Sequence, residues 1–279
     1  MDELYGRYEV MYPFQINCFR TLCEHHWDKN HLFLGETHNF WEATCVLEGE
    51  AESVKGNKVY LLQPGNLLFT PPMVFHSSRS SGGECCNLNF TFEVRGTFPS
   101  ILTDGVFYLT PAELGELKAI YYRLCNAYLQ EEADYELGAE SANALTSFFI
   151  RLSRNHIPSD KISKSRGSKQ YQKVVETMQE TICDNLSVQE IAERNGISTT
   201  TIKELFRCYA GIGPKRYYSD MRGIEARRLL TEGVDIEEIT EMLNYSSTSY
   251  FSNSFKKQFG MPPGQYRRSF LESGSVEQK

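Results

Sequence analysis

No stretch of the sequence is apolar over the ~18 residues needed to cross a bilayer, no two cysteines stand at C-x-x-C spacing, and no glycine-rich phosphate loop occurs. These absences argue against a membrane partner, a zinc finger and a phosphate-loop enzyme. Positive charge is also short, with 29 Lys and Arg against 36 Asp and Glu, a formal net charge of −7. No nucleophile stands beside an evident base, so an enzyme is not the first expectation. The eight cysteines have no histidines at zinc-finger intervals and follow no apolar leader. They read as reduced, mostly buried thiols of a cytoplasmic protein. Adjacent Cys85 and Cys86 would suit an oxidant sensor, or simply place one side chain on each face of a strand.

What is present is uneven. At 279 residues the chain has room for two domains, each able to bury a core. From residue 158 onward there are 18 Lys and Arg against 16 Asp and Glu; the remainder carries 11 against 20. The C-terminal part is therefore weakly basic and the N-terminal part acidic.

The C-terminal part repeats itself. Ser198, Ile202, Phe206, Arg207, Gly211, Pro214 and Tyr217 are answered 49 positions later by Ser247, Phe251, Phe255, Lys256, Gly260, Pro263 and Tyr266. A repeat of this size is one supersecondary unit used twice. In the first copy Ser187 and Glu190 have the spacing of a capping box, and Ile191 and Ala192 supply a buried face. Asn195-Gly196 then makes a tight turn, and Ser198 caps a second helix with Ile202, Leu205, Phe206 and Tyr209 on one stripe. In the second copy Asp235 and Glu238 are the cap pair, Ile239 and Met242 the buried face, and Asn244 the turn residue, before a helix from Ser247 that buries Phe251, Phe255 and Phe259. Each copy reads as a helix-turn-helix, and a long helix opening at Pro214 joins them. The polar faces carry Thr199, Thr200, Thr201, Lys203, Glu204 and Arg207 in one helix, and Thr248, Ser249, Tyr250, Ser252, Asn253, Lys256 and Lys257 in the other.

Residues 170–268 resemble the DNA-binding domain of the AraC/XylS family of bacterial transcription regulators. The run Ser249-Tyr250-Phe251-Ser252, followed by Phe255-Lys256-Lys257-Gln258-Phe259-Gly260-Met261-Pro262-Pro263, nearly reproduces that family's signature. The resemblance implies that both second helices enter the major groove of double-stranded DNA. Thr200, Lys203 and Glu204 in one, and Thr248, Ser249, Tyr250 and Asn253 in the other, would then take base-reading positions, with Arg207 and Lys256 on phosphates. Three residues depart from the pattern. Thr240 replaces a small apolar residue, and Gly223 lies inside the connecting helix at a cost of about 1 kcal/mol. Glu204 stands where the family often has arginine, which suits a cytosine contact or a pairing with Lys203 or Arg207.

Residues 1–105 have short apolar runs, Ala43 to Leu47, Val59 to Leu62 and Leu67 to Thr70, between turns built on Gly49, Gly56 and Gly65. This texture predicts a β-barrel or jelly roll. It resembles a cupin: His38, Glu42 and Gly49 fall on the first cupin motif, and Gly65, Pro71 and His76 on the second. Metal-binding cupins gather such residues inside the barrel around a divalent ion. Here Glu36 replaces a motif histidine, leaving His38, Glu42 and His76 as candidate ligands with Glu36 as a fourth. The alternative is that they hydrogen-bond a small effector, a sugar or related metabolite, with Phe40, Trp41 and Phe69 lining its pocket.

Thr110-Pro111-Ala112-Glu113 starts the first of two helices filling 111–157, which in the resembling family pair subunits into a homodimer and here have packing on the barrel as the rival role. A flexible linker is expected at 158–168, rich in Ser, Gly and Lys. The expected class is thus α+β and multidomain: a cupin-like domain over 1–157, then an all-α double helix-turn-helix over 169–279. The expected function is an effector-responsive transcription regulator, with RNA polymerase a partner if it activates. A metal-dependent cupin enzyme with a DNA-binding tail, or a constitutive DNA binder whose barrel only oligomerises, are the competing readings.

Overall fold

The computed structural model describes residues 12–159, 163 and 165–274, with side chains to residue 268. The chain divides into two units between Ser163 and Lys164.

The first unit contains β1 (Phe14–Trp27), β2 (Leu32–Glu36), β3 (Trp41–Glu48), β4 (Ala51–Lys55), β5 (Lys58–Leu62), β6 (Asn66–Thr70), β7 (His76–Ser80), β8 (Cys85–Gly96) and β9 (Val106–Tyr108). These form one sheet in the order β1-β8-β3-β6-β9 and another in the order β2-β7-β4-β5, antiparallel throughout. This is the strand order of a jelly roll. Gly49, Gly56 and Gly65 all hold positive φ in the turns where the sequence placed them.

The strands have two unlike faces, because successive side chains point to opposite sides. Ala43 and Cys45 of β3, and Leu88, Phe90 and Phe92 of β8, join the main core. That core is closed by α1 (Pro111–Tyr128) and α2 (Tyr135–Asn155), which lay Leu117, Tyr121, Leu124, Leu145, Phe149 and Leu152 on the five-stranded sheet. The Thr110/Glu113 capping box that opens α1 is fully formed. The helices cross closely where Gly138 meets Tyr128; a Cβ at position 138 would lie 2.4 Å from the Tyr128 hydroxyl.

The segment read as a flexible linker is held at two points. Ser159 exchanges both backbone hydrogen bonds with Val106 at 2.8 and 3.0 Å. The Ser163 amide donates to Val59 O at 2.6 Å, and its hydroxyl donates to Glu52. Composition suggested freedom, but an edge strand offered unpaired backbone groups and the segment took them. Helix α3 (Arg166–Glu180) then starts inside the expected linker, with the Ser165 hydroxyl accepting from Ser168 N. Residues 160–162 and 164 lie outside the described set.

The second unit continues with α4 (Val188–Asn195), α5 (Thr199–Tyr209), α6 (Pro214–Thr231), α7 (Ile236–Met242), α8 (Thr248–Phe259) and α9 (Pro263–Gly274). The first module matches its sequence reading in detail: Ser187 and Glu190 form a capping box, Gly196 is left-handed at φ 65°, and Ser198 caps α5. The second departs in two places. Met242 is 44% exposed and Leu243 is buried in its stead, because Leu243 lies one helical turn beyond buried Ile239. Asp235 occupies the N-cap position without a side-chain cap bond; its carboxylate accepts instead from Arg267 at 3.1 Å.

Phe149 is fully buried, with ring centroids 4.9 Å from Phe69 and 5.7 Å from Phe92. Phe149→Ala should cost about 3–5 kcal/mol, the range for an aromatic deleted from a close-packed core. Chemical denaturation of the full chain should show this as an earlier transition of the first unit alone, with the helical unit's transition unmoved.

Candidate nucleic-acid interface and candidate ligand site

In the second unit, α5 buries Ile202, Leu205, Phe206 and Tyr209, and its periodicity leaves Thr200, Lys203, Glu204 and Arg207 exposed. Thr199 and Thr201 are half-buried, and Thr201 is engaged in the cap, donating its amide to Ser198 Oγ at 3.0 Å. In α8, Phe251 and Phe255 are buried while Ser249, Tyr250, Asn253, Lys256 and Lys257 are exposed; Thr248 and Ser252 are half-buried. Tyr250 is 59% exposed, an aromatic side chain turned outward. Glu204 makes no ion pair with Lys203 or Arg207 among the described contacts, so its carboxylate is free to accept a hydrogen bond. Both helices therefore present short polar side chains near the N-terminus and cations in the last turn, Arg207 in one and Lys256 and Lys257 in the other. That distribution suits base edges for the first group and phosphates for the second.

Between α5 and α8 runs α6, 18 residues and about 27 Å long. Gly223 on α6 has a packing role: a Cβ there would fall 1.8 Å from Gln258 Oε1, and the Gln258 amide donates to Asp220 O at 2.9 Å. The buried Thr240 hydroxyl returns to Ile236 O at 2.7 Å within its own helix.

In the first unit, Glu36, His38, Glu42 and His76 come together, with ligand-type atoms all within 4.8 Å of one another. Glu36 ends β2, Glu42 lies on β3 and His76 opens β7, so the cluster joins the two sheets. His38 Nδ1 faces Phe40 O at 2.9 Å, and His76 Nδ1 faces Val74 O at 3.3 Å. Donation from each Nδ1–H to its carbonyl directs both Nε2 atoms inward, where they lie 3.3 and 3.1 Å from Glu42 Oε2. His76 Nε2 is buried and, despite that distance, is not aligned for a hydrogen bond. Burial opposes the charge on Glu42, but contact with His38 and His76 holds its carboxyl far below the usual range. Burial likewise opposes charge on His76, and Glu42 raises it above the ordinary imidazole value. Met73, in the left-handed region at φ 65°, donates its amide to His38 O at 2.7 Å and so pins the loop that carries His38.

Ligand atoms at about 2.1 Å from a divalent ion stand about 3.0–3.4 Å apart. The two Nε2 to Oε2 separations meet that test, and Glu36 Oε1, 3.9–4.0 Å from the two imidazoles on a half-exposed side chain, is near enough to complete the set by rotation. The residues present therefore fit a divalent ion bound by nitrogen and oxygen.

The expected aromatic lining is not where the sequence placed it. Phe69 and Trp41 pack in the helix-covered core, on the face of their sheet opposite Glu42, because residues 41 and 42 point to opposite sides of one strand. Phe40 alone stays with the cluster, stacked on His38 at 3.9 Å. What faces Glu42 is polar. The Thr44 hydroxyl donates to Glu42 at 3.1 Å, and the Asn89 amide donates to Thr44 at 3.3 Å. Asn87, 1% exposed on the same face of β8, finds no nitrogen or oxygen partner for either amide atom among the described residues, and the Cys85 thiol lies beside it. The signal for these residues was Asn87, Asn89 and Thr91 alternating with Leu88, Phe90 and Phe92.

Cys85 and Cys86 are both buried on opposite faces of β8. Burial pushes the Cys85 thiol up to about 11 and that of Cys45 up to about 12, and burial also raises Cys86. Thiolate is the reactive form, so the pair is unsuited to sensing oxidants. Iodoacetamide at neutral pH should modify exposed Cys183 and leave Cys45 and Cys85 untouched until the protein is unfolded, as read by mass spectrometry of digests.

Comparisons with known proteins bear on these two units differently. A helix-turn-helix domain family matches residues 191–269. The virulence regulon transcriptional activator VirF of Yersinia enterocolitica is 32% identical over 102 residues, 36% of this chain and 38% of that protein. The chain thus spans about two fifths of the length of VirF, and the same share of the regulator GbdR of Pseudomonas aeruginosa. The transcriptional activator RhaS of Pectobacterium carotovorum is 24% identical over 243 residues, 82% of this chain and 86% of that one. Among solved structures, the C-terminal domain of AraT from Geobacillus stearothermophilus is 29% identical over 38% of this chain and 88% of its own, with a TM-score of 0.36. Over residues 191–269 the doubled helix-turn-helix, with its capped second helices, is thus matched by a helix-turn-helix domain family, and the relatives that share this region are transcription regulators.

Proposed function

We propose that the chain is a sequence-specific DNA-binding regulator that reads two adjacent major-groove sites with α5 and α8, and that its jelly roll binds a small polar effector. The observation that carries the first part is the matched pair of exposed polar helix faces on a duplicated scaffold. Thr200, Lys203 and Glu204, and Thr248, Ser249, Tyr250 and Asn253, are the base-facing candidates; Arg207, Lys256 and Lys257 are the phosphate-facing ones. Thr199, Thr201 and Ser252, half-buried, support the helix edges. The weak net basicity of this half means that affinity depends on where the cations lie rather than how many there are.

The second part rests on Asn87. An amide buried with neither atom hydrogen-bonded costs about 1–3 kcal/mol, and a ligand with hydroxyl groups would satisfy it. A sugar or related metabolite lying between the sheets would meet Asn87, Asn89 and Thr44, with His38, Glu42 and His76 at one end. An ion held there by His38, Glu42, His76 and Glu36 would supply a Lewis-acidic anchor for an effector hydroxyl or carboxylate. Similarity of the second unit to transcription regulators favours a regulator over a cupin enzyme. The helices α1 and α2 leave Tyr122, Leu129 and Tyr135 exposed, which supports pairing of two subunits through this layer. RNA polymerase is a further partner if binding activates transcription.

Duplexes selected from a random library by the full chain supply the probe for three measurements. Arg207→Ala and Lys256→Ala should each lower the slope of log affinity against log salt by about 1 and weaken all sequences alike. Asn253→Ala or Lys203→Ala should cost about 1–3 kcal/mol at one base position and relax preference there. A salt-independent affinity, or no enrichment at all, overturns the DNA-reading proposal.

The jelly-roll proposal is tested by melting and by metal analysis. Sugars and polyols should include at least one that raises the melting temperature in proportion to its concentration and fails to do so in Asn87→Leu. Incubation with nickel or zinc followed by gel filtration should leave one ion per chain, lost in His76→Ala. Protein that emerges without metal excludes the ion.

A further inference from the structure

Two asparagines and one arginine connect the helix-turn-helix modules to each other. Asn185, in the loop after α3, belongs to the first module, and Asn244, in the turn after α7, to the second. Asn185 Nδ2 donates to Asn244 O at 3.2 Å, and Asn244 Nδ2 donates to Asp184 O at 3.2 Å. Both residues are left-handed, at φ 55° and 48°, a conformation that asparagine tolerates better than most side chains. Each therefore makes its own turn and reaches across to the other module's backbone.

Arg222 of α6 fills the space behind this pair. It is 5% exposed, and no carboxylate pairs with it among the described residues. Its guanidinium instead donates to three oxygens: Ile182 O at 3.2 Å through Nε, Asn185 Oδ1 through Nη1, and Leu243 O through Nη2. The plane lies 4.3 Å from the Tyr245 ring centroid. One planar cation thus touches the first module on two edges, the second on a third, and the second again through its face. Simple packing would not need this. An aliphatic side chain fills a helix–helix contact without desolvating a charge, whereas a guanidinium with three fixed acceptors permits essentially one relative placement of the groups that carry them.

We propose that Arg222, Asn185 and Asn244 form a clasp that fixes the separation and angle between α5 and α8, and so determines which spacing of two half-sites the protein accepts. The spacing consequence rests on the DNA-reading proposal above; the fixed geometry does not. One base pair inserted between half-sites moves the second by about 3.4 Å and turns it by about 35°, a change a rigid pair of helices cannot follow. Arg222, Asn185 and Asn244 are positioning residues here, since none lies on α5 or α8.

The test uses the full chain and the double variant Asn185→Gly, Asn244→Gly, which keeps the turn conformations and removes both reaching amides. Nitroxides attached through a ketone amino acid at Lys203 and Lys257 report the distance between the two helices. The wild type should give one narrow distance distribution, and the double variant a distribution at least about twice as broad at unchanged helix content. An unchanged distribution overturns the clasp. Arg222→Lys, which keeps the charge and loses the three-way fork, should broaden it too; a narrow distribution in that variant removes Arg222 from the proposal.

Selected duplexes with one base pair added or removed between half-sites then give the functional arm. Wild type should lose about ten-fold or more per step, and the double variant should flatten this profile while its base preferences within each half-site stay the same. A spacing profile that superimposes on wild type, in protein whose helices have been shown to move apart, overturns the spacing role. Failure to select any duplex strikes the DNA-reading proposal and leaves the distance measurement standing.

Discussion

The alternation of β3 and β8 is the constraint from which the first unit follows. One face of this sheet offers Ala43, Cys45, Leu88, Phe90 and Phe92, and two helices cover it to make the principal core. The other offers Glu42, Thr44, Asn87 and Asn89 and looks toward the second sheet, where His76 reaches it. Beside these polar groups the same face buries Val46, Leu68 and Cys85 in a smaller apolar cluster with Tyr60 and Leu62 of the second sheet. The larger, helix-covered core supplies most of the apolar burial, which lets the opposite face keep polar groups among its apolar ones.

The second unit separates its roles by a helical period. Each second helix turns its apolar stripe inward and its polar stripe outward, and capping by Ser198 and Ser247 fixes where each begins. Duplication gave two such helices, and divergence at the turns gave the copies different duties. Gly196 closes the first turn with no side chain, while Asn244 closes the second and carries an amide that bonds the other module. The modules share α6 as a common support, and each guanidinium nitrogen of its Arg222 donates to a carbonyl-type oxygen, two from the first module and one from the second.

Local chemistry was legible in the sequence and distant partnership was not. The Ser187/Glu190 and Thr110/Glu113 boxes and the glycine turns were readable because each signal lies within four residues of its effect. The convergence of His38, Glu42 and His76 was readable through motif spacing. Trp41 and Phe69 were misplaced because adjacency in sequence was taken for adjacency in space, and a strand sends neighbours to opposite sides. Met242 was misplaced because Met242 and Leu243 both lie about one helical turn beyond Ile239, and burial went to Leu243. Asp235 looked like a cap, and Arg267, 32 positions away, took its carboxylate. Arg222 had no local signature, and the alternation that marks Asn87 as polar says nothing of its missing partners: the significance of both comes from what surrounds them after folding.

The anchorage of Ser163 has a mechanical consequence. A force applied to the backbone at Ser163 would enter the jelly roll at Val59 of β5 and Glu52 of β4. Glu52 is in turn paired with Arg79 of β7, the strand that begins at His76. Ser163 thus stands two side-chain contacts from the strand that opens at His76.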